Sequence, residues 1–134
     1  MSTIVEGLTV LVSARSHAET LARFQALIAE RGLTLFAEID HAAGAREAGL
    51  ALAPLTLVIF GNARGGTPLM AESALIGLDL PLKALIGEDA EGRAFVAYNE
   101  PTWLGARHGL GATAEPVLAK LTALLEALAT ASTR

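Results

Sequence analysis

Leu8, Val10 and Val12 interleave with Thr9, Leu11 and Ser13, the period of two that marks a strand with one strongly apolar face. Ser16-His17-Ala18-Glu19 follows with the form of a capping box, the Ser16 hydroxyl placed for an orphan amide and Glu19 placed to reach back. Leu21, Phe24, Leu27 and Ile28 form one stripe of the helix this opens, and Gly32 is positioned to end it in the left-handed conformation. Leu33, Leu35, Ala37 and Ile39 then alternate with Thr34, Phe36 and Glu38 as a second strand.

Asp40 is expected to cap a short helix to about Ala48 with Gly49 as its stop, although Gly44 inside it costs ~1 kcal/mol against alanine. The nearly continuous apolar run Leu55 to Phe60 predicts an interior strand covered on both faces. It leads into Gly61-Asn62-Ala63-Arg64-Gly65-Gly66-Thr67-Pro68, where Thr67 is expected as N-cap and Pro68 as first residue of a helix to about Ile76. Leu82 to Glu88 and Arg93 to Tyr98 read as a hairpin across Asp89-Ala90-Glu91-Gly92. Asn99-Glu100-Pro101 breaks the hairpin, and a less regular stretch holds Trp103, Arg107 and His108. The spacing of Val117, Leu118, Leu121, Leu124, Leu125 and Leu128 predicts an amphipathic helix from about Thr113, with a loose tail after Ala129. The order β-α-β-α-β-α-β-β-α implies an α/β or α+β domain, a mixed sheet of about five strands with helices packed against it.

A chain of 134 residues is expected to form one domain. A hydrophobic fraction of 52% and a mean hydropathy of +0.47 are high, and the excess lies largely in Ala and Leu. The uncharged stretch between Glu47 and Arg64 is interrupted by Pro54 and falls short of the ~20 apolar residues of a spanning helix. The surplus apolar surface therefore points to a subunit interface, with a homodimer as the expected assembly and no membrane partner. The first basic residue is Arg15, so no secretory signal is read and the cytoplasm is the expected location. Absence of cysteine removes disulfides, thiolate catalysis and cysteine-bound metal. A formal charge of -4, with Lys and Arg scattered, argues against a nucleic-acid partner.

The glycine loop between a strand and a helix start is the main candidate for chemistry, because free amides there favour negative charge. It lacks the Gly-Lys step of a phosphate-binding P-loop and the spacing of a dinucleotide fingerprint. The simpler reading is a turn in which Gly61, Gly65 and Gly66 supply unusual backbone angles. Lys83, on the strand face opposite Leu82 and Ala84, is a desolvated base or an anion contact, or else a side chain that reaches water or marks an edge. His17, His41 and His108 share no metal-ligand spacing, so no metal is expected. Asp40 next to His41 has a carboxylate to orient an imidazole but already serves as a cap.

Ile39-Asp40-His41-Ala42-Ala43-Gly44-Ala45, Phe60-Gly61-Asn62, Gly66-Thr67-Pro68-Leu69-Met70, Asp79-Leu80-Pro81-Leu82-Lys83, Glu88-Asp89, Tyr98-Asn99 and Arg107-His108 occur in one unbroken order over about residues 5 to 110. In these blocks the chain resembles the prokaryotic family known as domain of unknown function 302. The resemblance implies a compact, homodimeric α/β domain and carries with it no reaction or cofactor. Ala63 and Gly87 depart from the pattern, standing where a proline and an aromatic are usual. The leading expectation is a small molecule or anion held by Asn62, Arg64, Gly65, Gly66, Thr67 and Lys83, with His41 converging from another strand exit. The alternatives are an enzyme with His41 or His108 as general base and Lys83 or Arg64 stabilising charge, and a purely structural dimerisation module.

Overall fold

A computed structural model describes residues 5–134. Five strands, β1 (Leu8–Val12), β2 (Thr34–Asp40), β3 (Leu55–Gly61), β4 (Leu82–Glu88) and β5 (Ala94–Asn99), form one sheet in the order β1-β5-β4-β3-β2. Every pairing is antiparallel, so the α+β class stands while the sheet holds no parallel neighbours. The reason lies in the first crossover: β1 and β2 run the same way but occupy opposite edges.

Helix α1 (His17–Glu30) starts where the capping box puts it, with the Ser16 hydroxyl accepting from the Glu19 amide at 3.1 Å. The return half differs, since the Ser16 hydroxyl donates to the Glu19 carboxylate instead. Gly32, at φ 67°, closes the helix. Helix α5 (Glu115–Thr133) lies beside α1, and the two cover one sheet face. Phe24 of α1 meets Phe60 of β3 edge to face at 5.4 Å, and Val58, Ile86, Val96, Leu125 and Leu128 complete the interior around them.

The other sheet face has no helix over it. Along β3 the residues Thr56, Val58 and Phe60 are buried and Leu55, Leu57 and Ile59 only half so. The expectation that this strand is covered on both faces is therefore corrected: all the helices that pack on the sheet lie to one side, and apolarity alone does not reveal which side lacks a layer. On the same bare face Val10 is 51% and Val12 53% exposed.

Three further expectations are revised. Helix α3 (Ala63–Glu72) begins five residues before Pro68, capped by Asn62 and not Thr67, and a 3-10 turn at Ala74–Leu78 follows it. Asn62 prevails because its side-chain oxygen reaches the Gly65 amide at 2.8 Å. The irregular stretch after β5 contains helix α4 (Pro101–Arg107), with proline in its first turn. The tail after Ala129 is helical and tied down: Ser132 and Thr133 are buried, and the Thr133 carbonyl accepts from the Ala14 amide at 2.8 Å. The remaining helix, α2 (His41–Glu47), runs from the Asp40 cap as expected.

Phe60 carries the centre of this one-sided core. Phe60→Ala is expected to cost about 3–5 kcal/mol in urea denaturation, whereas Val12→Ala, on the bare face, should cost the isolated chain less than about 1 kcal/mol.

Candidate functional site

The residues expected to form one site are divided between the two ends of the sheet. Asp40 pairs with Thr56 at the start of β3, whereas Thr34 pairs with Gly61 at its end. Five residue steps of about 3.3 Å along β3 separate Thr56 from Gly61 by roughly 17 Å. His41, the exposed first residue of α2, therefore does not meet Asn62, Arg64, Gly65, Gly66 or Thr67. Lys83 pairs with Ile59 on the bare sheet face and has no ion-pair partner among the described residues.

At the glycine turn only Gly61 has an unusual backbone angle, φ 145°. Gly65 and Gly66 lie within α3, and both amides face Asn62: Gly65 donates to its side chain at 2.8 Å, and Gly65 and Gly66 donate to its carbonyl at 3.2 and 3.4 Å. The adjoining hollow, lined by Gly61, Asn62, Pro81, Leu82, Leu121 and Leu124, holds about 30 Å³. That is the room of about one water molecule. Arg64, Thr67 and Pro68 border an open surface and not an enclosed cleft.

A polar cluster forms where the family blocks around Asp79 and His108 meet. His108 Nε2 lies 2.6 Å and Arg107 Nη1 2.8 Å from Asp79 Oδ2, with the His108 and Asp79 side chains 10% and 16% exposed. Glu72 makes a parallel tie, accepting from the Gly111 amide at 2.7 Å. Burial raises the Asp79 pKa, but the hydrogen bond from His108 and the charge of Arg107 outweigh it, so the carboxyl ends below its ordinary 3.8. Only a hollow of about 10 Å³, shared with Lys83 and Asn99, adjoins the cluster. Its chemistry is that of a clasp joining the turn before β4 to the end of α4. The pairing of Asp79 with residues 28 and 29 positions later has no local sequence signal.

The roomier cleft lies at the other end of the sheet and was not read from the sequence as a site. His17, Asp40, Ala42, Arg46, Leu52, Pro54, Leu55 and Thr56 enclose about 240 Å³. Thr56, only 5% exposed, forms its floor. Among the described residues every fully enclosed side-chain polar atom has a partner. The Thr56 hydroxyl has none there, so it keeps access to solvent, and this cleft is where the residue meets it. Arg46 likewise has no ion-pair partner among the described residues. Asp40 Oδ1 accepts from the Ala43 amide at 2.8 Å, and its second oxygen has no partner among the described residues. His17 Nε2 lies 3.2 Å from the Ile86 carbonyl, which can only accept, so Nε2 carries the proton and Nδ1 is the free ring nitrogen. Among the described residues no three His, Asp or Glu side chains are placed to share a metal ion.

The model for the domain of unknown function DUF302 matches residues 8–128. The chain belongs to the DUF302 family. An uncharacterised conserved DUF302 protein from Bacillus stearothermophilus superposes with a TM-score of 0.84 at 18% identity, covering 97% of this chain and 100% of that one. At that identity the likeness establishes the fold. The chain is also 45% identical over 116 residues to proteins named fluoride-specific ion channel FluC 1 of Brucella suis biovar 1 (strain 1330) and FluC 2 of Brucella melitensis biotype 1 (strain ATCC 23456 / CCUG 17765 / NCTC 10094 / 16M). The match takes in 86% of this chain but only 46% and 43% of those proteins, so the chain spans less than half the length of these curated relatives. Among the described residues no helix is long and apolar enough to cross a membrane.

The clasp gives this DUF302 domain a pH dependence. Because the folded-state pKa of Asp79 is lowered, its contribution to stability is fully present above the unfolded value near 3.8 and is lost as pH falls below it. Asp79→Ala is expected to destabilise by about 2 kcal/mol at pH 7, and urea midpoints of variant and wild type should draw together as pH falls below 3.8.

Proposed function

We propose that this DUF302 domain is a homodimeric binding module that takes a small molecule in the cleft between α1, α2 and the start of β3. The observation that carries this reading is the unpartnered hydroxyl of Thr56 on the cleft floor, below an uncommitted Arg46. The Thr56 hydroxyl meets solvent in the cleft, and a guest that displaces that water can take up its hydrogen bonds beside the cation. The glycine turn is a weaker home for a ligand, since Asn62 already engages two of its amides.

The bare sheet face supports dimerisation. Val10, Val12, Ile39, Leu57, Ile59 and Phe95 lie across it around Lys83, and five strands about 4.8 Å apart give a mainly apolar face of roughly 400 Å² in projection. Exposed apolar patches of about that size are often functional, and a second copy offers a matching surface about a twofold axis. The Brucella relatives named as fluoride channels support a further element, an accessory role beside ion transport, and the proposed location is the cytoplasm. An enzymatic reading has the His108–Asp79 pair in its favour, but the small hollow beside that pair leaves no room for a substrate.

A thermal-shift screen of chemically varied small molecules tests the binding reading. At least one compound should stabilise the wild type; Leu52→Trp, which fills the cleft from an exposed rim position, should abolish the response, and Arg64→Ala should leave it. Loss in Arg64→Ala with retention in Leu52→Trp would return the site to the glycine turn. For the assembly, light scattering at about 10 μM should show a dimer for the wild type and a monomer for Val10→Lys/Ile39→Lys, since desolvating a lysine in an apolar interface is costly. A monomeric wild type counts against the dimer.

A further inference from the structure

The ligand of the His17–Arg46 cleft follows from which atoms there remain unused, an inference that rests on the binding reading above. Arg46 offers a planar fork of N–H donors and a full positive charge, which suits a carboxylate. Two other groups ask for the opposite. Asp40 Oδ2 accepts only, since Oδ1 already holds the Ala43 amide. His17 donates Nε2–H to the Ile86 carbonyl, so in that tautomer of the neutral ring Nδ1 is an open acceptor. Thr56 can donate or accept. A simple anion satisfies Arg46 but leaves both acceptors unmet and faces the Asp40 charge. A simple amine or alcohol satisfies the acceptors and leaves Arg46 unpaired.

We infer that the cleft takes a short carboxylic acid that also carries an N–H or O–H donor, a hydroxy acid or an amino acid. Its carboxylate lies on Arg46, its hydroxyl or amino group serves the acceptors of Asp40, His17 and Thr56, and its hydrocarbon part rests on Leu52 and Leu55. The cleft, about 240 Å³ and open on one side, has room for a four-carbon acid.

The test titrates the full chain calorimetrically with 2-hydroxybutyrate, 2-aminobutyrate, butyrate, 1,2-butanediol and sodium fluoride. At least one of the first two should bind about tenfold or more tightly than butyrate or the diol, the difference expected for a hydrogen bond involving a charged group. Arg46→Gln should weaken that acid by about tenfold. Asp40→Asn keeps the capping oxygen but replaces the second acceptor with a donor, and should shrink the advantage over butyrate while circular dichroism stays unchanged. Butyrate or fluoride binding as tightly as the substituted acids overturns the ligand class. So does a wild type that binds a hit of the thermal-shift screen in the Leu52-sensitive manner but none of these acids. If no compound of either set binds, the binding reading falls as well.

Discussion

The structure rests on the burial of one face of an antiparallel sheet beneath two neighbouring helices. α1 crosses from edge strand β1 to edge strand β2, and α5 returns beside it, so the whole helical layer is committed to one side. Phe24 against Phe60 sits at the centre of that contact, with the aliphatic side chains of β3, β4, β5 and α5 around it. Nontrivial surface is left on the other side, and for a chain this small that is a large share of its apolar area. The same choice that builds the core thus creates the face proposed for a second copy.

Polar groups divide into those that lock this arrangement and those the fold leaves open. The Ser13 and Thr20 hydroxyls, 2.7 Å apart and buried, stand beside the Thr133 carbonyl and tie the exit of β1, the first turn of α1 and the end of α5 together. Asp79 with Arg107 and His108, and Glu72 with Gly111, fasten α4 to the segment before β4. These groups are satisfied inside the protein and have little left to offer a guest. Thr56, Arg46 and the second oxygen of Asp40 are the reverse, polar groups gathered at one opening with no partner among the described residues.

The strands and the two major helices were legible because each follows a local rule: alternation in Leu8 to Val12, the Ser16 cap and stripe of α1, the long apolar stripe of α5. The start of α3 was misplaced because two residues suited to capping, Asn62 and Thr67, lie five apart, and only the position of the Gly65 amide decides between them. Helix α4 escaped because its seven residues are too few for a periodic signal. Of the candidate site residues, Asp40 was noticed as a cap and His17 only within the capping-box segment. Their shared cleft with Arg46 and Thr56 was not read.

Local chemistry, then, dictated which segments become strands and helices and that apolar residues exceed what one small domain hides, since propensity, capping and periodicity act over a few neighbouring residues. Which sheet face receives the helices, which side chains at distant positions share a cleft and which amides are already taken were decided by the folded chain. Those outcomes depend on strand order and register, and strand order is set by contacts between residues tens of positions apart, where no short pattern can encode it.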